Sequence, residues 1–284
     1  MSPTRPIRVV QVSDSHLAPG VPSADHNWTV VVEHLAGDPP DLVVHTGDVT
    51  VDGFGDDAHL DHARARLEEL PCPWRAIPGN HDVGDFPPTS MPVTAERVAA
   101  FEERFGPGSW TIDLGPHDRG PIGRSATHAA GAWRIVGIDV QSLLGLAEDD
   151  RWVRLEEALS TDGPKMLCIH RPLWPAPTDG ENPDRYVPEP ARSRLAALAR
   201  DGDVRIVASG HVHQRASLRH DGLRAEWAPA TWAVIPESVQ PTIAEKVVGW
   251  VEHELGDTAI SRTVVPSSLA QLTIGEDFPS PYDH

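Results

Sequence analysis

The sequence predicts an α/β layered core with a largely β second half, on three observations. From Ile7 to Ser209, short apolar runs alternate with helical patterns, the order that covers a sheet with helices. After Gln214 the helical patterns stop, and short strand-like runs with tight turns take over. No linker-like stretch separates the two regions. One domain is therefore expected over residues 1–265, followed by a proline-bearing tail over 266–284.

Ile7 to Val12 is a compact apolar run and reads as the first strand. Trp28, Val31, Val32 and Leu35 follow at helical spacing, and Gly37 suits the stop. Asp41 to His45 reads as a strand, Leu60, Ala63, Leu67 and Leu70 as a helix face, and Trp74 to Ile77 as a strand. Val98, Phe101 and Phe105 mark a helix with Thr94 as N-cap and Gly106 as stop. The rest of Val83 to Ser125 is irregular and is expected to be an insertion, a lid or loop package beside a site. Trp133 to Ile138 and Lys165 to Ile169 read as strands, with a helix carrying Trp152, Leu155 and Leu159 between them. Pro190 opens a helix carrying Leu195 and Leu198, and Val204 to Ala208 is the next strand. Ala216 to Arg219, Leu223 to Ala228, Trp232 to Ile235, Val247 to Glu252 and Ala259 to Val264 read as short strands, the first two joined by the turn His220-Asp221-Gly222.

Composition excludes several classes. Among 284 residues 39% are apolar, and no apolar run is long enough to span a bilayer. The opening MSPTRPIRVV lacks the apolar core of a signal peptide, so a cytoplasmic location is expected. Cys72 and Cys168 have no metal or redox spacing, which fits a reducing compartment. The formal charge of -18 repels nucleic acid polymers and anionic membranes, so neither is an expected partner. The 28 prolines, about twice the usual share of ~5%, cluster between the elements.

The chemistry sits where strands end. SDSH supplies Asp14 and His16, TGD supplies Asp48, and PGNHD supplies Asn80, His81 and Asp82. The strand Lys165 to Ile169 is followed by His170, and SGHVH supplies His211 and His213. Open α/β sheets place their sites at this carboxyl edge. Residues two apart in extended chain point the same way, so His211 and His213 can reach one centre. The set holds carboxylates, imidazoles and one carboxamide but no thiolate, which argues against a structural zinc site. Most of the fifteen histidines need no special role; His34, His59 and His62 sit in helical patterns.

The series D-x-H, GD, GNHD, H, GHxH, in this order from Asp14 to His213, resembles the calcineurin-like metallophosphoesterase superfamily. The resemblance implies a four-layer α/β/β/α sandwich and a dinuclear centre of divalent or mixed-valence ions. Carried over by motif, Asp14, His16 and His213 hold one ion. Asn80, His170 and His211 hold the other, and Asp48 bridges them. The donor set suits Mn, Fe or Zn without choosing among them. With Asp14, Asp48 and a bridging hydroxide, two divalent ions leave a formal local charge of about +1, an anion-binding pocket in an acidic protein. The hydroxide would attack phosphorus in line, and His81 would protonate the leaving oxygen or stabilise the transition state. Asp82 would orient the His81 ring or be a solvated loop acid. Asn80 and His81 would also touch substrate.

Within the superfamily, SDSHL near the N-terminus, FEERFG after GNHD, and GID followed by a helix with Trp152 and Leu155 resemble bacterial class III cyclic-nucleotide phosphodiesterases and the related glycerophosphodiesterases. Val51 stands where purple acid phosphatases carry a tyrosine, and His81 is present where non-catalytic scaffold members lack it. Relatives often read HHP after the fourth strand, whereas this chain reads His170-Arg171-Pro172. Arg171 is thus a candidate phosphate contact or a surface ion-pair residue. Trp110, Trp174 and Tyr186 are candidates to stack on a base or to anchor loops, and His26 and His128 are further pocket candidates. The expected activity is hydrolysis of a small phosphodiester, 3′,5′-cyclic nucleotides included. A phosphomonoesterase or pyrophosphatase is the enzyme alternative, and a metal-binding scaffold is the non-enzyme one. A homodimer, and a tail after Val265 that covers the site or joins two copies, stay open.

Overall fold

The computed structural model describes residues 5–115, 131–147, 150–180, 182 and 184–280. The elements in chain order are β1 (Ile7–Val12), α1 (Pro22–Gly37), β2 (Leu42–His45), α2 (Asp57–Leu67), β3 (Trp74–Ala76), α3 (Asn80–Val83), α4 (Ala95–Phe105), β4 (Trp110–Leu114), β5 (Trp133–Ile138), α5 (Val140–Gly145), α6 (Asp150–Leu159), β6 (Lys165–Ile169), α7 (Ala191–Asp201), β7 (Val204–Ser209), β8 (Ala216–His220), β9 (Leu223–Trp227), β10 (Trp250–Leu255) and β11 (Ile260–Val264). They form two sheets, ordered β11-β10-β1-β2-β3 and β4-β5-β6-β7-β9-β8. The inner strands β1-β2-β3 and β5-β6-β7 run parallel within their sheets.

Alternation along each strand builds three apolar layers. Ile7 and Val9 of β1, Leu42 and Val44 of β2, Ile135 of β5, and Met166 and Cys168 of β6 meet between the sheets. Val10, Val12 and Val43 point the other way, onto Trp28, Val31 and Leu35 of α1 and Leu60 and Leu67 of α2. Val136, Leu167 and Val207 point outward onto Leu155 of α6 and Leu195 of α7. The result is the expected helix, sheet, sheet, helix sandwich. No helix of the described residues is long and apolar enough to cross a membrane.

Caps end the helices as the sequence suggests: Thr94 accepts from the Arg97 amide at 3.3 Å, and Gly106 closes α4 with a φ of 82°. Two expected strands differ. Trp232–Ile235 is not a strand; Val234 makes only an isolated bridge to Thr273. Its backbone is used by side chains instead, the Trp232 carbonyl by Asn27 Nδ2 at 2.8 Å and the Ala233 carbonyl by the His213 ring at 2.7 Å. The strand expected from Val247 starts at Trp250, because the amide and carbonyl of Val248 are both held by the Gln271 side chain. The described part of the insertion carries the expected α4 and, beyond expectation, β4, an edge strand paired antiparallel to β5. Residues 116–125 of it lie outside the described residues. The tail is anchored by Leu269 and Ile274 in the first core and by Ala270, whose amide and carbonyl both bond Asn27.

A polar relay crosses the buried middle layer. Gln11 on β1 is fully buried; its Nε2 donates to the Ser209 carbonyl at 3.0 Å, across the sheets. Its Oε1 meets His253 Nε2 at 3.1 Å, and His253 Nδ1 meets Ser261 Oγ at 2.8 Å. Burial, helped by the charge of Arg224, holds His253 down at about 3, so the folded protein keeps it neutral. A folded pKa below the unfolded one gives stability that is present above ~6.5 and lost as pH falls toward the folded value. His253→Gln is therefore expected to lose less stability than the wild type between pH 7 and pH 5, by ~2 kcal/mol. Urea denaturation of metal-free protein at both pH values checks this; parallel losses would refute it.

Candidate metal centre

The carboxyl ends of β1, β2, β6 and β7, with the start of α3, meet at one edge of the sandwich. The first sheet brings Asp14, His16, Asp48, Asn80 and His81, and the second brings His170, His211 and His213. Bonds between the two halves fix them together. The His211 amide donates to both Asp14 carboxylate oxygens, at 3.1 and 3.0 Å, and the Thr231 amide donates to the Ser13 carbonyl at 2.9 Å.

The donor atoms form two groups, each within 4.8 Å: Asp14, His16 and His213, and Asp48, His170 and His211. In the first, His16 Nε2 lies 3.2 Å from His213 Nε2, which lies 3.5 Å from Asp14 Oδ1. In the second, His170 Nε2 lies 3.2 Å from each of Asp48 Oδ2, His211 Nδ1 and Asn80 Oδ1. Ligands of one divalent ion at ordinary bond lengths stand about 2.8–3.6 Å apart. The donor spacing therefore fits a pair of such ions.

The imidazoles are turned to present the correct nitrogen. A ring nitrogen facing a carbonyl oxygen must be its N–H. His170 Nδ1 donates to the Thr46 carbonyl at 2.8 Å, His213 Nδ1 to Ala233 at 2.7 Å, and His211 Nε2 to Asp184 at 2.7 Å. In its neutral form each ring aims the lone pair of the opposite nitrogen into the donor group, the arrangement in which a metal-binding histidine is held from behind. Burial, and next the charge of His81, keeps His16 far below the usual histidine range. Burial and the Arg171 charge do the same to His211. Burial opposes ionisation of Asp48, but His170 and His81 overcome it and hold this carboxylate ionised. The same pairing outweighs burial at His170 and raises it to about 9. The centre thus pairs an ionised Asp48 with a protonated His170 and keeps His16 and His211 neutral.

The backbone is bent to make this possible. Asp14, His16, Asp48, His211 and His213 all have left-handed φ, between 45° and 69°. Such conformations cost about 1–3 kcal/mol each and gather at functional sites. Two glycines let the chain pass close. A Cβ on Gly79 would lie 2.2 Å from Asp48 Oδ1 and 2.4 Å from the Asp48 amide. One on Gly210 would lie 1.8 Å from Ser13 Oγ and 2.5 Å from Asp14 Oδ2. Gly79→Ala is expected to cost ~1–3 kcal/mol of stability by overpacking. Urea denaturation tests it, and an unchanged midpoint would refute this packing argument.

Several candidate residues are placed differently from expectation. Asp82 is fully buried and accepts from the amides of Val49, Thr50 and Gly79 and from Thr50 Oγ1, at 2.8–3.1 Å. It clamps the β2 and β3 loops together and is not a solvated acid. The His81 ring is oriented instead by the Val51 carbonyl, 2.8 Å from its Nδ1. Arg171 is buried, ion-paired with Asp85 and stacked 4.6 Å from the Phe86 ring. It is therefore not a surface ion-pair residue, and a phosphate contact would have to compete with that buried pair. Trp110 Nε1 donates to the Ala76 carbonyl, Trp174 stacks on His220, and Tyr186 packs beside Trp227, so all three serve as anchors. His26 is exposed on α1, and His128 lies outside the described residues. In the described part of the tail, Phe278 packs on Trp232, whose ring lies 5.3 Å from that of His16. Sequence reading missed the backbone carbonyls that orient the histidines, because a carbonyl carries no residue signature. It also missed Ser15 and His45, a buried pair at 2.8 Å behind the site.

Residues 7–215 match the model of the calcineurin-like phosphoesterase family, and the chain belongs to that family. It is a hydrolase of phosphate esters. It is 27% identical over 274 residues to the 3′,5′-cyclic adenosine monophosphate phosphodiesterase CpdA of Pseudomonas aeruginosa, covering 90% of each chain. It is 30% identical over 222 residues to a probable glycerophosphodiester phosphodiesterase, GpdQ, of Arcobacter nitrofigilis, covering 72% of this chain and 71% of the relative. Among solved structures, a dimetal phosphatase from Danio rerio shares the fold with a TM-score of 0.57 at 12% identity, over 91% of this chain and 96% of the other.

Proposed function

We propose that the protein is a dinuclear metal-dependent phosphodiesterase of small phosphodiesters, with 3′,5′-cyclic nucleotides as the first substrate class to examine. The observation that carries the reading is the pair of donor groups lying side by side with His81 at their edge, its ring 5.0 Å from that of His16. Asp14, His16 and His213 would hold one ion, and Asn80, His170 and His211 the other, with Asp48 shared. When bound, two divalent ions supply Lewis acidity toward phosphoryl oxygens and lower the pKa of a nearby water. The ionised Asp48 then balances charge between the groups. His81, fixed through Nδ1 by Val51, can in its imidazolium form give the Nε2 proton to the departing oxygen and is left neutral. The donor types suit Mn, Fe or Zn.

The names of the relatives above favour a diester over a monoester. The acidic surface favours a small diffusing substrate over a nucleic acid polymer or membrane, and the cytoplasm is the compartment this reading assigns. Product analysis with 3′,5′-cyclic AMP and with a glycerophosphodiester tests the substrate class. Release of 5′-AMP at a higher kcat/KM than glycerol phosphate supports the cyclic-nucleotide reading; the reverse order moves the substrate to glycerophosphodiesters.

A further inference from the structure

His211 differs from the other ligand candidates in what holds it from behind. His170 and His213 lean on carbonyls beside the sheet edges, at Thr46 and Ala233. His211 Nε2 leans on the carbonyl of Asp184, in the long connection between β6 and α7. Among its described residues that connection carries no helix or strand, so other contacts must fix the carbonyl.

Two sets of contacts do so. Asp179 is a polar knot: its Oδ2 accepts from the Tyr186 hydroxyl at 2.7 Å and from Arg185 Nη1 at 2.8 Å, and its Oδ1 accepts from the Gly180 amide at 3.1 Å. The two residues after Asp184 are thus tied back to Asp179. The Thr178 hydroxyl bonds the Ile243 carbonyl at 2.9 Å, and the Val187 amide bonds the Pro172 carbonyl at 3.0 Å, which fasten the loop at both sides. The second set is apolar. Tyr186 is 1% exposed and lies in a small cluster with Ala176, Trp227, Ile243 and Val212. Val212 stands between His211 and His213 in the chain. One loop therefore grips the histidine segment by a carbonyl on His211 and by a cluster around Val212.

We propose that Asp179 and Tyr186 form a latch that positions His211 for metal binding, acting through the Asp184 carbonyl. Both act through another residue and are positioning residues. The proposal rests on the reading of Asp48, His170 and His211 as a metal group. Partners held behind a ligand are typically worth 10–100-fold in metal affinity.

The test uses full-length protein, Tyr186→Phe and Asp179→Asn. Mn²⁺ binding is measured by competition with a chromogenic chelator, and urea unfolding is followed on metal-free protein. His16→Asn and His211→Asn assign each binding step to its group. Tyr186→Phe keeps the ring in its cluster and loses only the hydroxyl. It is expected to weaken the His211 step about tenfold and to leave the His16 step within about twofold. Asp179→Asn is expected to act in the same direction, and it carries the test if Tyr186→Phe does not fold. Unchanged affinity at the His211 step overturns the latch, as does equal weakening of both steps in proportion to lost stability. Wild-type protein that loads fewer than two ions overturns the metal reading and the latch with it.

Discussion

Asp48→Ala is expected to abolish loading of both ions and to lower turnover by at least ~10³-fold, about 4 kcal/mol of transition-state stabilisation. Asp48 is the anion at the middle of the centre. Its Oδ2 faces His170 Nε2 at 3.2 Å, and its Oδ1 accepts from the His81 amide at 2.9 Å. Without it, Asp14 is the only carboxylate left in the two donor groups. Two divalent ions side by side would then repel with little to screen them. The His81 amide, which fixes the start of α3, would lose its acceptor. Asp48→Asn keeps the shape and removes the charge, so it is expected to fail in the same way. Metal analysis after dialysis and steady-state kinetics measure both effects. Full activity in either variant would mean that the metal assignment is wrong.

His81→Ala is expected to keep both ions and still lose ~10²–10⁴-fold in kcat. The ring sits at the edge of the donor groups, and no donor group includes it. Proton donation matters most when the leaving oxygen is basic. The loss should therefore be larger for an alkyl ester than for a p-nitrophenyl ester, whose leaving group departs readily as an anion. An equal loss for both would assign His81 to substrate positioning. No loss at all would favour a scaffold over an enzyme.

The sequence shows the framework of the site with little ambiguity, for physical reasons. Strands covered on both faces are mostly apolar, so IRVVQV, LVVH and KMLCI stand out from their surroundings. Polar residues at the ends of such runs have no packing purpose there, which made Asp14, His16, Asp48, His170, His211 and His213 visible. What stayed hidden was hidden by context. Trp110–Leu114 alternates polar and apolar residues at a sheet edge and resembles loop. Arg171 reads as a surface residue until the fold places Asp85 and Phe86 around it. Asp82 reads as a solvated acid until three amides and a hydroxyl converge on it. Trp232–Ile235 has strand composition, yet Asn27 and His213 take its carbonyls.

The most direct test of a metal-dependent phosphodiesterase is metal content together with hydrolysis of bis(p-nitrophenyl) phosphate and p-nitrophenyl phosphate, in chelated and Mn-reloaded protein. Two ions per chain, with turnover lost on chelation, restored on reloading and favouring the diester, is the predicted result. Turnover that survives complete removal of metal, or a reloaded enzyme that favours the monoester, would contradict it.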